Sequence, residues 1–399
     1  MNKTLKLAVA AALLAGASSA NAGIMIPAGD WTLDIGGIVN AYYTHTSFSG
    51  DDAGAGEFAT GESVANITTG LLPNYLSVSG KTRQNDLDVA FTISINPGAS
   101  TRGSGKQGSQ QENRQAFLTF GDASWGSIKL GKDIGIYASD AILNDMTLLG
   151  VGSAAGGLAG NTTTLGRIGR GFMYADWKSQ VAYSSPNFNG FNFTVGMTQA
   201  WGPNTAGGPA SITDAGQRGG SETAYEGKAS YAWTGDVAGK VWGSFLSQNV
   251  ELGVAGLKGD SDTATAWDMG ATINVASFGL TGYYGNGDGT GKTVLFAGGY
   301  DATGKARDSD DWYVQATYTI PAGTKLGVSY GESNLEGNTA DNFKDNESNM
   351  VTVGAYHPIT KHLNLVAEYS VAKDEVDFTV GNDTEIKAKT VSLGAILFF

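Results

Sequence analysis

Residues 86–97 read DLDVAFTISINP, and apolar and polar side chains alternate along the stretch. The odd-numbered residues from Leu87 to Ile95 are all apolar, and most of the residues between them are polar. Successive side chains of a β-strand point to opposite faces, so this alternation predicts a strand with two unlike faces. The apolar face could pack in the core of a soluble sandwich or lie against lipid, and the function depends on which.

The N-terminus predicts export. Lys3 and Lys6 precede the apolar run LAVAAALLAG, and SSANA then ends at Ala22 with small residues at the spacing of a cleavage site. We therefore expect a cleaved signal peptide at 1–22 and a single mature domain at 23–399. Loss of the two lysines takes the formal net charge from −13 to −15. The chain has no cysteine, so its stability must come from packing and strand pairing.

Mild hydropathy does not exclude a membrane protein. No segment after the signal peptide has 18 consecutive apolar residues, which argues against a transmembrane helix. A transmembrane barrel needs only alternating strands of about ten residues. The acidic net charge argues against nucleic acid as a partner, because a phosphate backbone requires clusters of Lys and Arg.

The same alternation recurs along the chain, for example in WTLDIGGIVNAYY (31–43), AWDMGATINVA (266–276) and KTVSLGAILFF (389–399). Trp, Tyr and Phe lie near the ends of the apolar faces, which is typical of strands whose aromatic residues lie at the two membrane interfaces. We therefore interpret the apolar faces as lipid-facing.

Short and long links alternate between the predicted strands, which gives fifteen links and sixteen strands. An even strand number with tight turns at one rim and long loops at the other predicts an all-β, antiparallel, up-and-down transmembrane barrel. At this size the interior holds water. The short links are 81–86, 121–126, 186–190, 234–237, 276–279, 321–323 and 357–362. The long links lie near 45–72, 98–113, 133–175, 200–223, 248–264, 285–310, 332–348 and 373–386.

Four features resemble the Gram-negative general diffusion porins, which are sixteen-stranded trimeric channels of the outer membrane. They are NRQAFLTFGDASWGSIKLGKD (113–133), the long third loop that follows it, VAYSSPNFNGFNFTVGM (181–197) and the terminal Phe399. The resemblance covers the whole mature chain. It implies an outer-membrane location, a homotrimer, contact with lipopolysaccharide and outer-membrane lipid, no cofactor, and a terminal Phe399 that the barrel assembly machinery reads.

The resemblance also implies a pore constriction. In the family the third loop folds into the lumen, and its carboxylates face basic residues of the wall. By position, Asp145 and the nearby Asp140 resemble the loop carboxylates, Arg114 resembles a wall arginine, and Lys132 resembles the basic residue at the root of the loop. The sequence departs from the family after Asp145, where MTLLGVG lacks a further carboxylate.

An enzyme is not expected, because none of the three histidines lies in a metal-binding or nucleophile motif. The cluster of Asp308, Asp310 and Asp311 has two interpretations. It is a set of solvated surface charges, or it binds a divalent cation that bridges to lipopolysaccharide, since hard cations prefer carboxylates.

The sequence therefore predicts a passive pore for small hydrophilic solutes and ions. The alternatives are a solute-specific channel and a structural or adhesive barrel with a blocked lumen. The excess acid lies mainly in the long links, at the expected outer mouth, and this predicts a mild cation preference at low ionic strength.

Overall fold

The computed structural model describes residues 23–51, 61, 63–99, 111–153, 163–164, 166–200, 218–219, 222–252, 261–292 and 298–399. The predicted signal peptide at 1–22 lies outside these residues. In the described part, no helix is long and apolar enough to cross a membrane.

The described residues form twenty strand segments, one short α-helix and one 3-10 helix. The strands are β1 (Ile24–Ala28), β2 (Trp31–Gly50), β3 (Ser63–Thr68), β4 (Tyr75–Gln84), β5 (Leu87–Pro97), β6 (Gln111–Glu112), β7 (Ala116–Asp122), β8 (Gly126–Ile134), β9 (Trp177–Ser184), β10 (Phe191–Thr198), β11 (Arg218–Gly219), β12 (Ala224–Trp233), β13 (Val237–Glu251), β14 (Ser261–Val275), β15 (Phe278–Asp288), β16 (Asp308–Thr319), β17 (Lys325–Glu336), β18 (Phe343–Pro358), β19 (Leu363–Phe378) and β20 (Thr384–Phe398). The α-helix is α1 (Ser139–Asn144), and the 3-10 helix is Met146–Leu149.

The segments form one closed antiparallel barrel of sixteen wall strands. The first wall strand, β2, pairs with the last, β20, from Ile38↔Phe398 to Gly50↔Ile386. Both β3 and β4 pair with β2, both β6 and β7 pair with β5, and both β11 and β12 pair with β13. β3 with β4, β6 with β7, and β11 with β12 therefore each form one interrupted wall strand. The predicted strand number and architecture are confirmed.

The first and last described strands meet in the wall. β1 pairs with Trp31–Ile35 of β2, beyond the end of β20, so β1 and β20 together form one wall strand. Gly37 and Phe399 exchange two backbone hydrogen bonds, with N···O distances of 2.7 and 3.0 Å. The Phe399 ring packs directly on Gly37, where a Cβ would lie 2.8 Å from the ring. Closure of the barrel therefore includes the last residue of the chain.

The outer face of the wall is apolar. In β14, Trp267, Met269, Ile273 and Val275 are exposed, and the inward residues between them are polar or small. Aromatic pairs lie at both ends of this band, with ring centroids 4.6 Å apart for Phe278–Tyr318 and 5.6 Å apart for Trp267–Tyr284. The interpretation of the alternating faces as lipid-facing is confirmed by this exposed apolar belt.

Tight turns join the strands at one rim. Asn85 and Asp86, between β4 and β5, both have positive φ (47° and 63°), which a two-residue hairpin turn of this handedness requires and which Asn and Asp tolerate. The local sequence therefore explains why this link is short.

Two links that the sequence predicts to be long are short. β17 and β18 are joined by residues 337–342, and β19 and β20 are joined by residues 379–383. The strands continue above the apolar belt, where the outward side chains are polar, so the alternation that marks a lipid-facing strand is lost and the sequence resembles a loop. Ion pairs hold this extension on the outside, with Lys373 Nζ 2.6 Å from Glu375 and 2.8 Å from Glu385.

Deletion of Phe399 is expected to lower the amount of folded barrel, because it removes two backbone hydrogen bonds at the closure, worth about 1–3 kcal/mol together. The heat-resistant folded fraction on gels of outer-membrane preparations measures this. Phe399→Ala keeps the backbone bonds and removes only the ring, so the two variants separate closure from recognition of the aromatic side chain. Wild-type levels of folded protein after the deletion would contradict the prediction.

Candidate functional site: the third loop and the inner wall

Residues 135–176, between β8 and β9, form the longest link whose two ends are described. We call residues 135–153 the outgoing limb and residues 166–176 the return limb. The backbone N–H of Gly135 donates to the carbonyl of Asp176 at 2.8 Å and holds the two roots together. The outgoing limb contains α1 and the 3-10 helix.

A buried glutamate holds the start of the outgoing limb. Glu226 Oε2 accepts the backbone N–H groups of Ile136 and Tyr137, both at 2.8 Å. Its Oε1 accepts from Lys178 Nζ at 2.5 Å and from Thr198 Oγ1 at 2.8 Å. Glu226 and Lys178 are 1% and 3% exposed. Because an unpaired charge is costly at such depth, each depends on the other.

The middle of the outgoing limb contacts β16. Tyr313 donates from its hydroxyl to the carbonyl of Ala141 at 2.9 Å. Gln315 Nε2 donates to the carbonyl of Asn144 at 2.6 Å, and its Oε1 accepts the N–H of Met146 at 2.9 Å. Both wall residues are on the face opposite the exposed Val314, so the limb lies against the inner face here.

A second buried glutamate holds the far end of the outgoing limb. Glu368 Oε2 on β19 accepts the N–H groups of Val151 at 2.8 Å and Gly152 at 2.9 Å, and Tyr356 donates to its Oε1 at 2.6 Å. On the other side, the Tyr42 hydroxyl donates to the carbonyl of Leu149 at 2.6 Å. The outgoing limb therefore follows the inner wall from β12 to β19 and β2.

Asp140, in the first turn of α1, pairs with two wall cations. Lys228 Nζ on β12 lies 3.2 Å from Asp140 Oδ2, and Lys240 Nζ on β13 hydrogen-bonds Oδ1. Burial alone would raise the pKa of Asp140, but the two ammonium groups outweigh it and hold the pKa below its ordinary value of 3.8. The pairing is therefore intact above this value and is lost only as the pH falls through the lowered pKa.

The lysine side chains are more exposed than the aspartate side chain in these pairs. The side chains of Lys228 and Lys240 are 23% and 12% exposed, against 4% for Asp140. The pair of Lys129 and Asp133 has the same asymmetry, with 28% and 6% exposure.

Asp145 organises the loop itself. Its carboxylate accepts the Thr147 N–H at 3.0 Å and the Thr147 hydroxyl at 2.7 Å, and so caps the 3-10 helix. Its Oδ1 lies 3.8 Å from Nε of the return-limb residue Arg167, and both side chains are fully buried. Arg167 also donates to the carbonyl of Met350 on β18 at 3.0 Å. The two limbs and the wall thus meet at one buried charge pair.

The other two residues expected at the constriction have different surroundings. Arg114 Nε pairs with Glu112 at 2.7 Å, and its guanidinium lies 5.7 Å from the centre of the Trp177 ring, at the root of the loop. Lys132 is on the same side of β8 as the exposed Leu130, and its Nζ donates to the carbonyl of Asn113 at 2.9 Å. Lys132 therefore begins on the outer face of the wall.

The cluster of Asp308, Asp310 and Asp311 does not converge. Adjacent strand residues point to opposite faces, so the buried Asp311 faces inward while Asp308 and Asp310 face outward. Within the described ranges, no group of three or more His, Cys, Asp or Glu side chains is placed to hold a metal ion.

The cations that pair with the loop carboxylates were missed in the sequence analysis. The sequence could have identified Lys240 as an inner-face residue, because it alternates with the apolar Val237, Val241 and Phe245 of the outer face. Lys228 has the same signal between the exposed Tyr225 and Tyr231. Arg167 has none, since it lies in an irregular segment without periodicity.

Solved structures with the same fold include an outer membrane channel, a porin and a further outer membrane protein. The chain is similar to the outer membrane channel DcaP of Acinetobacter baumannii (TM-score 0.69, 17% identity, 95% of this chain and 100% of that chain covered). It is also similar to an anion-selective porin from Comamonas acidovorans (0.62, 15%, 92% and 100%). A third similar structure is in-vitro folded OmpT, an outer membrane protein of Vibrio cholerae, in its trimer form (0.52, 16%, 92% and 99%). At these identities the likeness establishes the fold alone.

The family is established by sequence. No curated protein matches the sequence significantly. A family model described as Gram-negative porin, however, matches residues 8–377, which is most of the chain. With its closed sixteen-strand barrel and exposed apolar belt, the chain belongs to the Gram-negative porin family and forms a multi-pass diffusion channel of the outer membrane.

Proposed function

We propose that the protein is a passive, water-filled channel for small hydrophilic solutes and ions, without catalytic activity. The closed barrel of sixteen strands carries this proposal, because a barrel of this size is too wide for wall side chains alone to fill. The inner faces of β4 and β5 support it. On these faces Ser77, Ser79, Asp88 and Thr92 are half-buried and Lys81 is exposed, and only the outer end of β5 at Ser94 and Asn96 is buried, whereas the inward residues of β16–β19 are mostly buried.

The third loop is proposed to narrow this channel. Its outgoing limb is held by Glu226 at one end and by Glu368 at the other, and both anchors use backbone N–H groups of the loop. The water-filled path then runs along the opposite wall, on the side of β4–β8. In this arrangement Asp140, Lys228 and Lys240 lie at the constriction, Asp145 holds the loop in shape, and Arg114 contributes at the root.

The charge at the constriction favours small anions. Two ammonium groups meet one carboxylate at Asp140, and the lysine side chains are the more exposed partners. A permeating ion therefore comes closest to Lys228, Lys240 and Lys129. This differs from the mild cation preference predicted from the acidic mouth, because charges at the mouth are screened by salt more strongly than charges inside a narrow lumen. The similar porin from Comamonas acidovorans is described as anion-selective, which agrees with this sign.

A homotrimer with lipid and assembly partners is proposed from the family. One of the similar Vibrio structures is described as a trimer. Lipopolysaccharide would meet the outer face above the apolar belt, where Lys373, Glu375, Glu385 and Lys387 form a polar extension of the wall. The barrel assembly machinery would act on the last strand, which ends at Phe399.

Purified protein is expected to conduct ions in a planar lipid bilayer, and one insertion is expected to close in three equal steps because a trimer has three pores. Rates of liposome swelling with sugars of increasing size then separate the alternatives. A gradual decline with size supports a general pore, and saturable flux of one solute class supports a solute-specific channel. The absence of any conductance would support a blocked barrel and contradict the proposal.

Reversal potentials in a KCl gradient test the sign of selectivity. Lys228→Gln with Lys240→Gln should shift the permeability ratio toward cations, and Asp140→Asn should shift it toward anions. A charge about 8 Å from an ion in water contributes roughly 0.5 kcal/mol, with opposite sign for anion and cation, so each changed charge should alter each permeability by about twofold and the ratio by about fivefold. Lys305→Gln changes an exposed charge between β15 and β16 and is the control for the mouth. If only Lys305→Gln changes the permeability ratio, charge at the outer mouth sets the selectivity, as the sequence predicts.

Glu226→Ala is expected to destabilise the barrel by about 3–5 kcal/mol, because it leaves Lys178 buried without its carboxylate. Urea unfolding in lipid vesicles measures this. The double variant with Lys178→Met should lose less than the sum of the two single variants, since both members of the pair are then gone. Glu222→Ala, at an exposed position just before β12, is the matched control. Equal losses of unfolding free energy in Glu226→Ala and Glu222→Ala would show that Glu226 does not anchor the loop.

A further inference from the structure

A lysine outside the third loop is buried against the inner wall. Lys292 follows β15, and it is 4% exposed. Its Nζ donates to the Asn346 carbonyl at 2.6 Å, to Ser348 Oγ at 2.9 Å, and to Asn346 Oδ1. Both acceptor residues are on the inner face of β18. The connection from β15 therefore reaches across the inside of β16 and β17 to β18.

The same hydrogen-bond network includes the third loop. Ser348 Oγ donates to Asp374 Oδ1 on β19 at 2.6 Å, and Arg170 of the return limb donates to Asp374 Oδ2 at 2.6 Å. The chain of contacts Lys292–Ser348–Asp374–Arg170, which we call the Lys292 tether, thus joins the β15–β16 connection, two wall strands and the return limb.

A second set of contacts holds the other end of the connection. Arg307 pairs with Asp341 through two hydrogen bonds, of 2.8 Å from Nε and 2.6 Å from NH2. Tyr300 is fully buried in one apolar cluster with Met173 of the return limb and Tyr137 of the outgoing limb. Residues 298–307 therefore pack on the third loop, and movement of one requires movement of the other.

The surroundings of Lys292 make its charge costly. Burial lowers the pKa of Lys292 to about 7 from its ordinary 10.5. Asp374, Asp311 and Glu347 oppose this shift while they are ionised, and Arg170 adds to it. Burial also raises the pKa of Asp311 to about 8, so Asp311 takes up a proton below that pH. A released, hydrated lysine would keep its ordinary value. Between about pH 8 and 10.5 the tethered state therefore binds fewer protons than the released state, and the tether weakens as the pH falls through this window.

We propose that Lys292 is a positioning residue that holds the β15–β16 connection and the return limb against the inner wall, and that acidification within the alkaline range loosens this hold. The ratio of tethered to released molecules falls by up to roughly tenfold per pH unit between about pH 10 and 8, above the pH at which Asp311 takes up a proton. Loosening of these segments would widen the outer half of the channel.

Spin labelling tests the tether without reference to conduction. The chain has no cysteine, so Ala302→Cys, at an exposed position between Tyr300 and Arg307, gives one site for a nitroxide label. In folded, detergent-solubilised protein, the label should be least mobile near pH 10 and become more mobile as the pH falls to 8.

Lys292→Met removes the titrating group and the three hydrogen bonds, so the label should be mobile and independent of pH. Lys305→Met, an exposed lysine of the same connection, should keep the wild-type pH curve. If Lys292→Met does not fold, Ser348→Ala breaks the link to Asp374 and should raise the mobility while keeping the pH dependence. Mobility that is independent of pH in the otherwise wild-type chain, or the same curve in Lys292→Met, would overturn the proposal.

Conductance is a second readout, and it rests on the proposed channel function. The single-channel conductance of the wild type should rise from pH 10 to 8, and that of Lys292→Met should be constant and at least as high as the wild-type value at pH 8. A pH-dependent label with no conductance at any pH would support the tether and reject the channel.

Discussion

Every backbone N–H and C=O group that faces lipid must find a partner within the protein, because the bilayer core supplies none. A sheet meets this requirement only when it closes, and here closure depends on β2. This strand pairs with β20 and β1 on one side and with β3 and β4 on the other. The last residue takes part through the two hydrogen bonds between Gly37 and Phe399. The rest of the molecule is built on a wall in which β1 and β20 together complete one strand.

The closed wall surrounds an interior that its own side chains do not fill, and the third loop occupies part of this space. Two buried carboxylates, Glu226 and Glu368, each accept two backbone N–H groups of the outgoing limb. An irregular segment inside a barrel carries unpaired backbone groups, which would be costly if they were left unsatisfied. Wall carboxylates are suited to this role because one ionised group accepts several hydrogen bonds. Glu226 and Glu368 therefore satisfy backbone N–H groups that the irregular loop would otherwise leave unpaired.

The interior electrostatics follow from depth as much as from residue type. The side chains of Asp140, Asp133 and Asp145 are almost fully buried, while those of Lys228, Lys240 and Lys129 are partly exposed. Long lysine side chains reach past their partners toward solvent, whereas short aspartates do not. In these ion pairs the more exposed member is therefore basic, although the chain as a whole is acidic. Total charge is a poor guide to the field that a permeating ion meets.

The sequence by itself determined the strand number and the lipid-facing side of most strands, because these depend on period-two alternation. It failed at the outer ends of β17–β20, where two predicted long loops are strands joined by short links, since the outward residues there are polar and no apolar outer face marks a strand above the membrane. The sequence also named Asp140 and Asp145 through a family resemblance, but it did not name Arg167 or Lys292. Only the tertiary structure decided their partners, because irregular segments have no periodicity and their contacts join residues far apart in the chain.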